Sequence, residues 1–225
     1  MRPILVVDCY VDGDGVSNYR RVIHDRPLEF WRPADAPRPR HVQDFSGIVI
    51  TGSAACMTTP EPWMDLVVDL VLDANVSHVP ILGICFGHQI VAHALFGSGT
   101  VRRSATPEVG WVSINQTTQD DPIFEGVEAN FTTFMSHFDE VQARPGMTVL
   151  ATTDRCEVAA YRVGKLPVWG LQFHAEMDQK EAEDLVGLRI SGWPGANITI
   201  EEARAGSRDS TGLVTQLFKN FFQTL

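Results

Sequence analysis

The sequence predicts an α/β fold: an open, mostly parallel sheet flanked by helices, with a small antiparallel extension. Three observations predict it. Residues 3–10 form a near-continuous β-branched run, as expected for a strand buried on both faces of a parallel sheet. From there to residue 96 the chain alternates short apolar runs with segments of helical spacing, the rhythm of βαβ units. After Gly99 the alternation stops and short strand-like runs follow one another without helices between them. No Ser/Gly-rich or charge-rich linker divides the 225 residues, so a single domain over 1–225 is expected.

Taken in order, residues 11–18 are a turn cluster just past the first strand, on the sheet edge where α/β proteins carry their ligand crevice. Asp12 and Asp14 lie there, but the further acidic ligands of a calcium loop are missing, and a solvated turn is the reading. A helix is expected from Asn18 to about His24, a short strand over 28–31, and a Pro/Arg-rich surface loop over 34–40. A second buried strand, 48–51, ends in Gly52 and Ser53, whose small size lets a ligand approach backbone N–H groups. Trp63, Leu66, Val67, Leu70 and Val71 fall at helical spacing behind Pro62, which suits a first turn. In the second half, strand-like runs occur at 101–102, 110–114, 131–135, 149–152, 158–162 and 168–173. Two helices, about 178–190 and 209–222, close the chain.

Composition excludes several functions. A net charge of −10 is wrong for a polyanionic partner, so nucleic acid is not expected. No stretch approaches the ~18 apolar residues of a membrane span, and the N-terminus is too short and polar for a signal peptide. Four cysteines without a C-x-x-C pair, and seven histidines without an H-E-x-x-H array, argue against zinc. No metal and no cofactor is expected. Reduced thiols in a cytoplasmic protein are the natural expectation.

The chemistry is concentrated where an apolar run, 79–84, ends at Cys85, with Gly83 and Gly87 two residues to either side and a helical pattern beyond. A strand, a sharp turn and a helix with a nucleophile at the apex is the arrangement of a nucleophile elbow, here with cysteine in place of serine. The tight bend leaves no room for side chains at 83 and 87. The helix points its free N–H groups and positive dipole end at the sulfur, favouring thiolate. An isolated cysteine is more often a buried packing residue; the paired glycines at a strand-to-helix junction favour the nucleophile. A cysteine nucleophile needs a base and the base an orienting group. Residues 168–176 supply an apolar strand ending in His174-Ala175-Glu176, where alternate residues share a face.

These residues resemble a known family. Gly-Ile-Cys-Phe-Gly-His-Gln with a downstream Phe-His-x-Glu resembles the class I, triad-type glutamine amidotransferase domain; the resemblance spans about residues 3–177 and implies that 1–225 is a single flavodoxin-like domain of that kind. Thr51-Gly52-Ser53, Glu108-x-Gly110-Trp111 and Met135-Ser136-His137-x-Asp139 resemble further blocks, particularly those of the amidotransferase domain of GMP synthetase. Two positions depart from the pattern: Ala175 stands where the family usually has proline, and Phe138 where relatives often carry glycine. The resemblance implies Cys85 as nucleophile, His174 as general base and acid, and Glu176 as its orienter. It implies an oxyanion held by the backbone of Phe86 and of the Gly52–Ala54 loop. Substrate binding is implied for Gly52, Ser53, Gln89, Ser136 and His137. The expected reaction is hydrolysis of the γ-carboxamide of glutamine through a γ-glutamyl thioester, with ammonia passed to a synthetase or acceptor subunit on another chain. The alternatives are hydrolysis of γ-glutamyl amides of larger amines and, third, a non-enzymatic regulatory role.

Overall fold

The computed structural model describes residues 1–11, 15–192 and 198–225. The turn containing Asp12 and Asp14 lies outside the described residues. The chain runs β1 (Ile4–Val7), α1 (Val16–Val22), β2 (Leu28–Trp31), β3 (Gly47–Ile50), α2 (Pro62–Val76), β4 (Ile81–Ile84) and α3 (Phe86–Phe96). It continues with β5 (Val101–Gln116), β6 (Asn130–Val141), β7 (Met147–Thr152), β8 (Ala160–Val163) and β9 (Val168–Leu171). The helices α4 (Gln179–Ser191), α5 (Ile200–Arg204) and α6 (Thr211–Phe222) follow. One nine-stranded sheet has the order β2-β1-β3-β4-β9-β8-β7-β5-β6. The first five strands in that order are parallel, and from β9 onward every neighbour is antiparallel.

Of the parallel strands, β1, β3, β4 and β9 have both faces covered, so each of their residues goes into a core. In β1, Ile4 and Val6 enter one layer with Tyr19, Ile23, Phe218 and Phe221, under α1 and α6. Leu5 and Val7 enter the opposite layer with Val67, Leu70, Ile90 and Val91, under α2 and α3. All four β1 residues have 0% exposure, which is why a continuous apolar run rather than an alternation marks the strand. Asn220 pins α6 across the sheet by donating from Nδ2 to the Ile123 and Glu125 carbonyls at 2.9 and 2.8 Å.

Two features differ from the sequence expectation. The runs at 101–102 and 110–114 are parts of one sixteen-residue strand, β5, whose register against β6 shifts between Arg103 and Glu108. The bulge interrupts the hydrophobic pattern, so the strand reads as two. Helix α5 has no counterpart in the expected elements. It is a five-residue helix capped by Thr199, and it packs where Gly110 leaves room: a Cβ at Gly110 would stand 2.7 Å from the Ala203 carbonyl oxygen.

Helix α3 begins at Phe86, directly after the apex, with Gly87 inside its first turn. The glycines at the elbow have separate reasons. A Cβ at Gly83 would meet the Gly87 carbonyl at 2.4 Å, and one at Gly87 would meet the Ile50 carbonyl oxygen of β3 at 2.2 Å. Both obstacles are backbone, which cannot swing aside. Gly87→Ala should therefore cost about 3 kcal/mol or more, as overpacking against rigid neighbours does, read as a drop in the urea midpoint. Gly187→Ala in α4 meets nothing closer than Arg204 at 3.7 Å. It should instead stabilise by about 0.5–1 kcal/mol through helix propensity. Equal effects of the two substitutions would contradict this packing.

Candidate active site

Cys85 sits between β4 and α3 with φ 52 and ψ −101, one of two non-glycine residues with positive φ among those described. A strained backbone at a strand-to-helix junction is held only when its surroundings over-determine it. Here the Cys85 N–H donates to the Leu171 carbonyl of β9 at 2.8 Å, and the Gly87 N–H to the Thr51 carbonyl beyond β3 at 3.1 Å. The elbow is clamped from both neighbouring strands. Phe86, as the first residue of α3, has no carbonyl of its own helix to donate to. The thiol contacts the Ser136 carbonyl at 3.5 Å.

The clamp on β9 also places the imidazole. Three residues past Leu171, the His174 N–H donates to the Phe134 carbonyl of β6 at 2.9 Å. His174 Nδ1 lies 2.8 Å from Glu176 Oε1, with both side chains buried. Burial alone would push the imidazole's proton affinity down. The Glu176 charge, and then Cys85 by charge and hydrogen bonding, outweigh it and hold His174 well above its ordinary value. Gly52 packs against the pair: a Cβ there would be 3.3 Å from His174 Cε1 and 3.6 Å from Cys85 Cβ.

Two tyrosines, absent from the sequence expectation, complete the surroundings of Glu176. The Tyr10 hydroxyl donates to Glu176 Oε1 at 3.4 Å. Burial first, then the Glu176 charge, raise both Tyr10 and Tyr19 well above their ordinary values, so both stay neutral. The signal for Tyr10 was its place just beyond the carboxyl end of β1; Tyr19, inside α1, carried none.

Ser53, Cys85, Phe86, Gln89, Ser136 and His137 line one cavity of about 20 Å³, together with Cys56, Phe138, Asp139 and Arg189. That is room for roughly one water. His174, Glu176 and Gly52 do not line it. Ser53 Oγ accepts from the Ala55 N–H at 3.0 Å and so closes its own turn. Gln89 Nε2 donates to the Asp139 carbonyl at 2.9 Å and to Gln172 Oε1 at 3.1 Å. Asp139 is fully engaged, accepting from the Thr58 N–H and hydroxyl and from Arg103. Arg103 in turn lies 5.1 Å over the Phe138 ring.

His137 is built into the wall. Nδ1–H donates to the Asp139 carbonyl at 3.0 Å and Nε2 lies 3.2 Å from Glu108 Oε2. Glu108 also accepts from the Thr153 hydroxyl at 2.9 and 3.0 Å. Glu108, His137 and Cys156 bring potential metal-ligand atoms within 4.8 Å of one another, a grouping the sequence spacing did not indicate. Burial, then the Glu108 charge, push the Cys156 thiol up to about 12. A group held protonated in this way is a poor metal ligand without an ion to displace its proton. The four cysteines are all free. No helix among the described residues is long and apolar enough to cross a membrane.

The chain that carries this strained cysteine elbow and buried His–Glu pair matches a known family. A family model described as "Glutamine amidotransferase class-I" matches residues 21–186. The chain is 32% identical over 158 residues to a glutamine-hydrolyzing GMP synthase subunit from Archaeoglobus fulgidus, covering 70% of this chain and 80% of that one. It is 36% identical over 111 residues to the protein of the same name from Methanococcus maripaludis, covering 49% of this chain and 57% of the relative. The chain therefore spans little over half the length of the latter. Among solved structures, a glutamine amidotransferase from Methylobacillus flagellatus superposes with a TM-score of 0.82 at 21% identity, covering 100% of this chain and 96% of that one. One from Thermotoga maritima gives 0.80 at 16%, covering 99% and 97%; at such identities the likeness is one of fold. The chain belongs to the class I glutamine amidotransferases.

The raised His174 makes a prediction with a definite sign. A histidine titrates near 6.5 in the unfolded chain and above that when folded here. The stability it contributes is fully present below pH ~6.5 and is lost as pH rises through the folded value. Glu176→Gln removes the largest raising influence. Urea midpoints measured at about pH 6.5 and 9 should fall with pH more steeply in the parent than in the variant; equal slopes would contradict the assignment.

Proposed function

We propose that the protein hydrolyses the γ-carboxamide of glutamine with Cys85 as nucleophile, His174 as acid and base, and Glu176 as the group that orients it. The observation that carries this reading is Cys85 at a positive-φ apex, beside an imidazole whose Nδ1 is taken by Glu176. With Nδ1 occupied, Nε2 is the nitrogen left for the thiol and the substrate.

The sulfur, as thiolate, attacks the carboxamide carbon and forms an S–C bond, with the carbonyl electrons moving to oxygen. The Phe86 N–H and the backbone of the Gly52–Ala54 loop hold that oxyanion. One such donor is worth on the order of 10²–10³ in rate. His174, kept protonated by Glu176, gives its Nε2 proton to the nitrogen as the C–N bond breaks, and ammonia leaves. The now neutral imidazole takes a proton from water, which attacks the thioester carbonyl. The C–S bond breaks, glutamate departs and the thiolate is restored. Gln89, Ser53, Ser136 and His137 bind the substrate's amino-acid end, chiefly as walls and backbone, since the Gln89 amide and the His137 ring are already engaged.

The name the relatives carry, glutamine-hydrolyzing GMP synthase, supports glutamine as substrate and an acceptor on another chain as the destination of the ammonia. We take residues 1–225 as one amidotransferase-like domain acting in the cytoplasm. Glutamate release from L-glutamine and from γ-glutamyl amides of larger amines is the test. L-Glutamine should be turned over, and Cys85→Ala should lose at least about 10⁴-fold in kcat with the fold intact. Retained turnover in Cys85→Ala would remove the nucleophile. Preference for the bulky amides would make the protein a γ-glutamyl hydrolase.

A further inference from the structure

The cavity beside Cys85 is overlooked by a cation that the reaction just proposed does not use. Arg189 lies in the last turn of α4 and lines the cavity together with Cys85, Ser136 and Phe138. A basic residue at a helix C-terminus ordinarily serves the helix dipole from a solvated position. Arg189 is not placed that way: its Nε is buried and has no hydrogen-bond partner among the described residues. No ion pair to it is found there either, although the other charged groups around the cavity are matched. Asp139 is taken by Arg103 and Thr58, and Arg103 is stacked on Phe138. A second unpartnered donor lines the same space, the buried hydroxyl of Ser136.

A buried guanidinium nitrogen and a buried hydroxyl without partners are costly, because each has given up water. The cost is recovered when an acceptor carrying negative charge enters between them. A carboxylate matches, since the planar fork of arginine presents paired donors to its two oxygens. The helix that carries the guanidinium is firmly placed. Helix α4 starts two residues after Met177 at a reciprocal cap, in which the Glu181 N–H donates to Asp178 Oδ1 at 2.9 Å and the Asp178 N–H to Glu181 Oε2 at 2.8 Å. Its apolar face packs through Ala182 and Val186 onto Val109 and Phe134 of the β5–β6 hairpin. The chain that supplies the His–Glu pair thus continues directly into the helix that carries Arg189.

We propose that Arg189 recognises a carboxylate of the substrate, a binding role beyond the residues the proposed function employs. The inference rests on the γ-glutamyl reading of the site. Two carboxylates could be its target: the α-carboxylate of the glutamyl group, or one on the leaving side of a γ-glutamyl dipeptide.

The experiment follows alkylation of Cys85 by iodoacetamide in the parent, Arg189→Gln and Arg189→Lys, and measures how L-glutamine, L-glutamine α-amide and γ-glutamylglycine slow it. It needs no turnover. If the α-carboxylate is bound, Arg189→Gln weakens protection by glutamine and by γ-glutamylglycine at least tenfold and leaves that by the α-amide unchanged. If the leaving-side carboxylate is bound, only γ-glutamylglycine is affected. In either case Arg189→Lys should restore part of the loss, with protection read for each protein as the ratio to its own alkylation rate without ligand. Equal protection in parent and Arg189→Gln, or equal weakening for all three ligands, overturns the carboxylate role. Absence of protection by every ligand in the parent overturns the γ-glutamyl reading itself, and the role of Arg189 with it.

Discussion

The site depends on the close approach of the β4–α3 elbow to the strands on either side of it. Gly83 and Gly87 bring backbone within a distance at which no side chain fits, and Cys85 takes a positive φ as the consequence. The contacts that hold this strain are interstrand hydrogen bonds, not side-chain packing. Positioning therefore passes through the sheet. The carbonyl that accepts from the Cys85 N–H belongs to Leu171, and three residues later the same strand delivers His174. Cys85 and His174 both follow directly on the register of β4 against β9. The antiparallel half of the sheet contributes through β6, whose Phe134 carbonyl fixes the His174 backbone and whose Ser136 carbonyl meets the thiol.

The electrostatics around the imidazole follow from what is absent as much as from what is present. Glu176 is fully buried, and the side chains that face its carboxylate are the imidazole and a neutral tyrosine. An arginine is close by, but Arg21 donates to the backbone carbonyl of Glu176 and to Glu181, not to the Glu176 carboxylate. Had a guanidinium taken that carboxylate, its charge would have been spent, and His174 would have followed burial downwards. His88 shows that outcome: also fully buried, and with no carboxylate to face, it is lowered to about 3. Tyrosines, which burial keeps protonated, can donate to Glu176 without neutralising it.

Much of this was legible in the sequence, and the reason is local. The inner parallel strands are marked by runs in which both faces are apolar, and the edge strand β2, with Glu29 exposed, still falls on the residues expected for it. The elbow is marked by two glycines at fixed offsets from a cysteine, and His174 and Glu176 by their place at the end of a strand. What was not legible depends on contacts between distant segments. Strand β5 read as two because its bulge breaks the alternation, although the long partner β6 holds it together. The need for glycine at 87 was legible, but not its particular obstacle, the carbonyl of Ile50 on a separate strand. Tyr10, Tyr19 and Arg189 come from three separate elements and meet the site only after folding; no spacing could have grouped them.

The protein contains the same three residue types twice. Cys85, His174 and Glu176 form one set; Cys156, His137 and Glu108 form another, with ligand atoms within 4.8 Å of one another. Their difference shows what converts a residue list into chemistry. Cys156 lies inside the protein with a carboxylate at hand, and both influences raise its thiol, to about 12. Cys85 stands at the head of a helix, with N–H groups directed towards it and a cavity in front of it. In the second set the carboxylate is shared with the Thr153 hydroxyl, and the imidazole is anchored at both nitrogens, so no proton is free to travel. In the first, the imidazole is anchored at Nδ1 by Glu176 and also hydrogen-bonds the Cys85 thiol. Composition is equal in the two sets; the helix terminus and the strained, positive-φ cysteine are found in one alone.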